Sequence, residues 1–148
     1  MKIYVGADHN GYRLKELLEK HLNRLGYDVA DDGDKKMDPA DDFPVFAQKV
    51  VKDVLSADDK DARGILLCGS GQGMCMTANR FKGIRAALLF DYESARSSRN
   101  DDNSNIACLP ANSLEPAEAF DILETWLNTP FEGARRFVRR IQAMDEMN

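Results

Sequence analysis

Six consecutive residues, Cys68-Gly69-Ser70-Gly71-Gln72-Gly73, put a thiol at the edge of a glycine-rich turn. Gly69, Gly71 and Gly73 let a ligand come close to the backbone, and the N–H groups of such a turn point at whatever anion binds there. A thiol placed where a turn opens a helix sits in a setting that favours the thiolate, which can act as a general base or a nucleophile. The stretch is not a dinucleotide fingerprint, because after Gly69 and Gly71 the third glycine falls one residue early and Met74 follows it. No Gly-Lys-Ser/Thr follows, so it is not a P-loop. A buried strand-end cysteine beside a tight bend is the plainer reading of the same residues.

Two further groups could serve that turn. Asp8 can hold ligand hydroxyls and His9 can donate to an anion; equally, Asp8 can cap a helix while His9 lies in solvent. Arg135, Arg136, Arg139 and Arg140 are the one concentrated basic feature. At i, i+4 spacing Arg135 and Arg139 share a helix face, as do Arg136 and Arg140, so either pair could clamp a phosphate or simply form a solvated face. His21 falls on a leucine-rich helix face and reads as a core histidine. The run Asp101-Asp102-Asn103-Ser104-Asn105 and the acidic segment 31–44 offer neither an EF-hand register nor a histidine pair. They read as solvated turn and cap residues, and no metal is expected.

The elements that must position these residues alternate short apolar runs with helical periodicity, the pattern of a parallel sheet. Strands are expected over 2–7, 27–30, 64–68, 85–89 and 105–109. Helices are expected from Leu14 to Leu25, closed by Gly26, then through Phe46 to Leu55, from near Met74, over 92–99, over 116–127, and from about Phe131 to Met144. The all-apolar run Ile65-Leu66-Leu67-Cys68 suits a central strand covered on both faces. The architecture predicted is a single α/β domain over 1–148, a doubly wound five-stranded parallel sheet in which ligands sit beyond the carboxyl ends of the strands.

Composition narrows the function. The chain of 148 residues carries a formal charge of −5, which argues against a nucleic-acid partner. No apolar run reaches the roughly 20 residues a membrane span needs. The opening segment is too short and strand-like for a signal peptide, and a cytoplasmic protein is expected. Cys68, Cys75 and Cys108 show no zinc spacing and read as free thiols.

Taken together, the chain resembles the family of ribose-5-phosphate isomerase B and galactose-6-phosphate isomerase. The resemblance rests on Gly6-Ala7-Asp8-His9-Asn10-Gly11-Tyr12, Asp42-Phe43-Pro44, Leu67 through Gly73 with Ala78-Asn79, Gly83-Ile84-Arg85-Ala86-Ala87, Ser98-Arg99, Asn105, and Phe131-Glu132-Gly133-Ala134-Arg135 with Arg139. It implies a Rossmann-like fold, a C-terminal helix reaching a partner subunit, a homodimer or a tetramer of paired dimers, and no cofactor. It implies interconversion of an aldose phosphate and its ketose through an enediolate. On that resemblance Cys68 is the base, Ser70 with the Gly69, Gly71 and Gly73 amides stabilises the enediolate, and Asp8 contacts sugar hydroxyls. His9, Arg135 and Arg139 hold the phosphate, the arginines coming from the other subunit. Four positions depart from the family pattern: Asp101 stands for the histidine that opens the sugar ring, Asp102 for the asparagine after it, Phe43 for a tyrosine and Asn112 for an arginine. These changes leave the proton-transfer residues in place and bear on which sugar phosphate is used. A catalytically silent sugar-phosphate-binding protein and a hydrolase with a Cys68 nucleophile are the competing readings.

Overall fold

The computed structural model describes residues 1–147. Five strands alternate with helices: β1 (Lys2–Ala7), α1 (Tyr12–Arg24), β2 (Asp28–Asp31), α2 (Phe43–Ser56), β3 (Arg63–Cys68), α3 (Gln72–Ala78), β4 (Ala86–Leu88), α4 (Tyr92–Asn100), β5 (Ile106–Pro110), α5 (Pro116–Asn128) and α6 (Arg135–Asp145). The sheet order is β2-β1-β3-β5-β4 and every pairing is parallel. The chain leaves β1 toward β2 and then returns to the other side for β3. The carboxyl ends of β1 and β3 therefore flank the switch point where such sheets open a crevice.

Alternation along each strand divides the core in two. Ile65 and Leu67 of β3 face Leu14, Leu18 and Leu22 of α1 and Leu123 and Trp126 of α5, whereas Leu66 and Cys68 face Val50 and Val51 of α2 and Met74 of α3. All six residues of β3 are buried, so the strand is apolar without a period of two. Each fully buried Leu, Ile or Val contributes about 1.5–3 kcal/mol, which fixes the height of Cys68 against both helix layers. The Arg63 guanidinium lies over the Trp126 ring at 5.3 Å and donates to the Trp126 and Leu127 carbonyls at 3.3 and 3.2 Å, tying β3 to the end of α5.

Helix α1 stops where expected, with Gly26 at φ +87 in the left-handed region that lets a helix end. His21 is partly buried, stacks on Phe120 at 4.2 Å between ring centres, and meets Glu124 Oε1 at 2.7 Å, joining α1 to α5. Most boundaries move by a residue or two from the sequence expectation, and two of the differences have a clear local cause. Helix α6 begins at Arg135 rather than near Phe131, because Gly133 takes φ +69 and interrupts the chain ahead of it. The edge strand β4 is only three residues long, Arg85 being diverted to the loop that closes on Asn105.

Candidate active site

Register brings the ends of three strands together. Ala7 is level with Leu67, and Asp8 N–H donates to the Leu67 carbonyl at 3.2 Å, so Asp8 stands beside Cys68. Cys68 is level with Pro110, and the Ala111 and Asn112 amides close on the Cys68 and Gly69 carbonyls at 2.9 and 3.0 Å. The backbone then reverses at Gly71, whose φ of +73 and ψ of −14 lie in the left-handed region. That reversal turns the Gly71 N–H back onto Cys68 Sγ at 3.1 Å. That donor fixes the position of the sulfur at the edge of the turn. Ser70 Oγ accepts from the Gln72 amide at 3.4 Å and is exposed, so its hydroxyl proton is free to face a ligand.

Asp8 is buried and its Oδ1 accepts from the Asn10 and Gly11 amides at 3.0 and 3.1 Å, which holds the loop into α1. Burial pushes its carboxyl above the usual range, while those amides and His9 pull it back. Asp8 therefore does not cap α1, whose first turn receives no side-chain hydrogen bond; it holds the two loop amides ahead of the helix and stays at the mouth beside Cys68. His9 does not lie free in solvent. Its Nδ1 is 2.7 Å from Asp41 Oδ1, which also accepts from the His9 amide at 3.2 Å. The hydrogen bond to Asp41 raises the His9 pKa, with Asp8 and Asp38 acting the same way. Asp41 is the residue that sequence reasoning missed: its side chain is 6% exposed, far from a solvated loop carboxylate. Asp8, His9 and Asp41 offer ligand atoms within 4.8 Å of one another, a set able in principle to hold a cation, but His9 Nδ1 and Asp8 Oδ1 are already engaged within the chain.

The remaining predicted residues are elsewhere. Helix α4 runs back from the carboxyl edge, so Asp101 and Asp102 at its end lie by the amino edge of β5, about 13 Å of strand away from the level of Cys68. Asp101 Oδ1 accepts from Asn100 Nδ2 at 2.8 Å, and the same Nδ2 also donates to Glu132 Oε2 at 3.0 Å. The Asp102 carbonyl accepts from Arg85 Nε at 3.1 Å. Burial, then Asp101, pushes the Asp102 carboxyl up, against Arg140 and Arg85. Arg135 and Arg139 are exposed on α6, where only Phe137 is buried, and among the described residues neither makes an ion pair or hydrogen bond within the chain. Helix α6 stays near Asp102 through Arg140 and near Arg85 through Asp145, at 3.7 Å. One chain thus carries two sets: Asp8, His9, Cys68, Ser70 and the glycine amides at the carboxyl edge of the sheet, and Asp101, Asp102, Arg135 and Arg139 on the α4–α6 side.

Similarity to known proteins extends over nearly the whole chain. The model of the family described as Ribose/Galactose Isomerase matches residues 3–144. A probable ribose-5-phosphate isomerase B of Mycoplasma pneumoniae is 39% identical over 93% of this chain and 89% of its own length, and the ribose-5-phosphate isomerase B of Mycobacterium tuberculosis is 34% identical over 99% and 89%. Among solved structures, a ribose 5-phosphate isomerase of Thermotoga maritima superposes with a TM-score of 0.92 at 42% identity, covering 99% of this chain and 98% of that one. The Mycoplasma genitalium ribose-5-phosphate isomerase B with bound ribulose-5-phosphate gives 0.93 at 37% identity, covering 98% and 94%.

Proposed function

The chain belongs to the ribose/galactose isomerase family, and from that premise we propose that it interconverts ribose 5-phosphate and ribulose 5-phosphate, or a closely related aldose and ketose phosphate. The observation that carries the assignment to particular atoms is the Gly71 N–H held 3.1 Å from Cys68 Sγ. Cys68 is the base. In an open-chain aldose phosphate the hydrogen on carbon 2 is acidic, because the electrons it leaves behind delocalise onto the carbonyl oxygen. Cys68 takes that proton and returns it to carbon 1, while the hydroxyl proton on oxygen 2 passes to oxygen 1 and leaves the ketone at carbon 2. The negative charge that develops on oxygen faces the Ser70 hydroxyl and the backbone amides of Gly69 and Gly73, where preorganised donors lower the barrier, while the Gly71 N–H stays on the Cys68 sulfur. Asp8 orients the sugar hydroxyls. His9, whose protonated form is favoured by its bond to Asp41, takes the phosphate. A base, an oxyanion-stabilising turn and a phosphate clamp suffice for this proton transfer, in which carbon 1 is reduced as carbon 2 is oxidised and no outside electron carrier takes part.

The second set of residues completes the site from another copy. A two-fold pair presents the same patches to each other, and it supports a reading in which Arg135 and Arg139 of one subunit close on the phosphate beside His9 of the other, with Asp101 and Asp102 meeting the sugar. Asp101 then serves ring opening, or meets a substrate that is already open. A phosphorylated sugar fits a cytoplasmic location, and among the described residues no helix is long and apolar enough to cross a membrane.

Incubation with tetrose, pentose and hexose phosphates in deuterated water reads enediolate formation directly. Solvent deuterium is expected at carbon 1 or 2 of the true substrate, and Cys68→Ala should cut exchange by about 10²–10⁴-fold with the fold intact. Undiminished exchange in that variant would remove Cys68 as the base. Binding without exchange across the whole panel would instead make the protein a silent sugar-phosphate binder.

A further inference from the structure

The carboxyl edge of the sheet carries the proposed reaction, and the opposite edge holds a separate concentration of buried positive charge. Gly64 and Ala86 are both level with Ile106. One residue earlier, Arg63 and Arg85 therefore flank Asn105 in a row across the amino edge. The row is tied by the Gly64 N–H to the Asn105 carbonyl at 3.0 Å and by the Arg85 N–H to Asn105 Oδ1 at 2.8 Å. Arg99, near the end of α4, joins them through Asn103. That residue, at φ +48, accepts from Arg99 Nη1 on its Oδ1 at 2.8 Å and from Arg85 Nε on its carbonyl at 3.1 Å, so it holds the two guanidinium groups together. With Lys60 the three arginines line a cavity of about 190 Å³. Arg63 and Arg99 are only 6% and 5% exposed. Arg99 forms no ion pair among the described residues; its bonds go to the Asn103 side chain and to the Ser104 and Thr129 carbonyls, which satisfy hydrogens without balancing charge. A buried charge without a counter-ion is costly. Burial, then Arg63, lowers the Arg99 pKa to about 10, Asp61 opposing and Arg85 adding to the effect, and the group stays protonated at neutral pH. The carboxylates lining the cavity are already engaged: Asp61 accepts from Arg63 Nη2 at 3.2 Å, and Asp59 pairs with the N-terminal amine at 3.5 Å. Arg85 meets Asp145 at 3.7 Å. Once those pairs cancel, Lys60 and Arg99 leave the cavity with two positive charges.

We propose that this amino-edge cavity binds a phosphate dianion, free or as a small monoester, with Arg99 and Arg85 as its ligands. Nη2 of each guanidinium makes no hydrogen bond among the described residues, so each has donors left for an anion. A phosphoryl group has oxygens enough to meet two guanidinium groups that arrive from different elements, and Lys60 adds a point charge. A carboxylate would neutralise only half of the charge that the lining leaves over, whereas a phosphate dianion neutralises it. The cavity lies at the opposite end of β3 from Cys68, so the ion it holds takes no part in the proton transfer. Occupancy ties both guanidinium groups and the Asn103 turn to one ligand, which steadies the end of α4 and raises the stability of the fold.

The test is a titration of the intact protein with inorganic phosphate through the millimolar range at fixed ionic strength, followed by the guanidinium N–H resonances of Arg99 and Arg85 and by thermal unfolding. Both resonances are expected to shift saturably, and Tm to rise, where chloride at the same ionic strength does neither. The same shifts should persist in a His9→Asn, Arg139→Met double variant, which removes the proposed phosphate ligands of the carboxyl edge. In that variant glycerol phosphate moving the two resonances assigns the cavity to monoesters, and inorganic phosphate alone moving them assigns it to the free ion. Arg85→Met, at a partly exposed position, should weaken phosphate binding about 10–100-fold in the double-variant background. The proposal is overturned if the wild-type Arg99 and Arg85 resonances do not respond to phosphate, if their response disappears in the His9→Asn, Arg139→Met protein, or if Arg85→Met binds phosphate unchanged. The wild-type reading needs no variant to fold, and none of the readings uses turnover, so a negative result leaves the isomerase assignment untouched.

Discussion

Replacing Gly71 by alanine separates two costs that usually arrive together, because the chain contains a second left-handed glycine to serve as its reference. Gly26 has φ +87 and a Cβ added there meets nothing within 4 Å, so Gly26→Ala carries only the left-handed penalty of about 1–2 kcal/mol. Gly71 has φ +73, and its Cβ would stand 2.6 Å from Leu88 Cδ1, 3.0 Å from the Leu109 carbonyl carbon and 3.1 Å from Pro110 N. The leucine tip can move; the β5 backbone cannot without disturbing its ladder to β3. Overpacking of this kind adds about 1–3 kcal/mol, for a total of roughly 2–5 kcal/mol at Gly71. For a chain of this size that corresponds to a fall in Tm on the order of 5–15 °C, against about 3–6 °C at Gly26. Urea and thermal unfolding of both variants measure the difference. Deuterium exchange gives a second reading: Gly71 N–H is the donor to Cys68 Sγ, so turnover should fall in folded Gly71→Ala and stay at the wild-type level in Gly26→Ala. Equal destabilisation of the two, or full turnover in Gly71→Ala, would refute the claim that the turn is fixed by its packing on β5 and that it positions the Cys68 sulfur.

Two carboxylates give pH-dependent predictions of opposite kinds. Asp41 raises the His9 pKa, so the imidazolium present below the ordinary histidine value of about 6.5 persists above it and is lost only as pH rises through the higher folded value. With Asp41→Asn the KM for the sugar phosphate should begin to climb at lower pH than in the wild type while kcat changes little; superimposable KM profiles would show that Asp41 only shapes the loop. Asp32 is buried with Oδ2 unpartnered, and burial together with the facing Asp53 raises its pKa to about 6. Its favourable contribution is complete below 3.8 and lost as pH rises through about 6, so Asp32→Asn should be more stable than the wild type by on the order of 1–2 kcal/mol at pH 7.5 and no more stable near pH 4. Denaturation curves at the two pH values decide it.

The strand ends and the glycine turn were legible because each rests on a local rule. The run Ile65 to Cys68 has no polar residue to admit water, and three glycines in five positions serve only a tight reversal or a close approach. Asp8 next to Cys68 followed from the same logic, since both residues terminate parallel strands. Asp41 was not legible. Its partner His9 lies 32 residues away, and its neighbourhood of aspartates, glycine and prolines has the composition of a solvated loop. Nothing in that composition distinguishes the carboxylates that fold inward, Asp41 and Asp32, from their solvated neighbours. The position of Asp101 and Asp102 was legible in principle, because a helix between parallel strands must end at the amino edge of the sheet. A motif read as a string loses that vector. The start of α6 was obscured for a smaller reason: Phe131 and Ala134 continue the apolar period across Gly133, where the backbone departs from a helix.

Residues on opposite edges of one sheet answer to a common substrate under the proposed pairing, and this affects how the lineage can change. A substitution near Cys68 that enlarges or shifts the sugar pocket is compensated at Asp101 or Arg139, positions that no folding constraint within the chain links to it. Coupled substitutions between these positions would therefore register, in any reconstruction from correlated sequences, as contacts that a lone subunit fails to satisfy. The same geometry makes the two edges heritable as one trait: a duplicated copy that diverges at one edge alone still depends on its sister for the other.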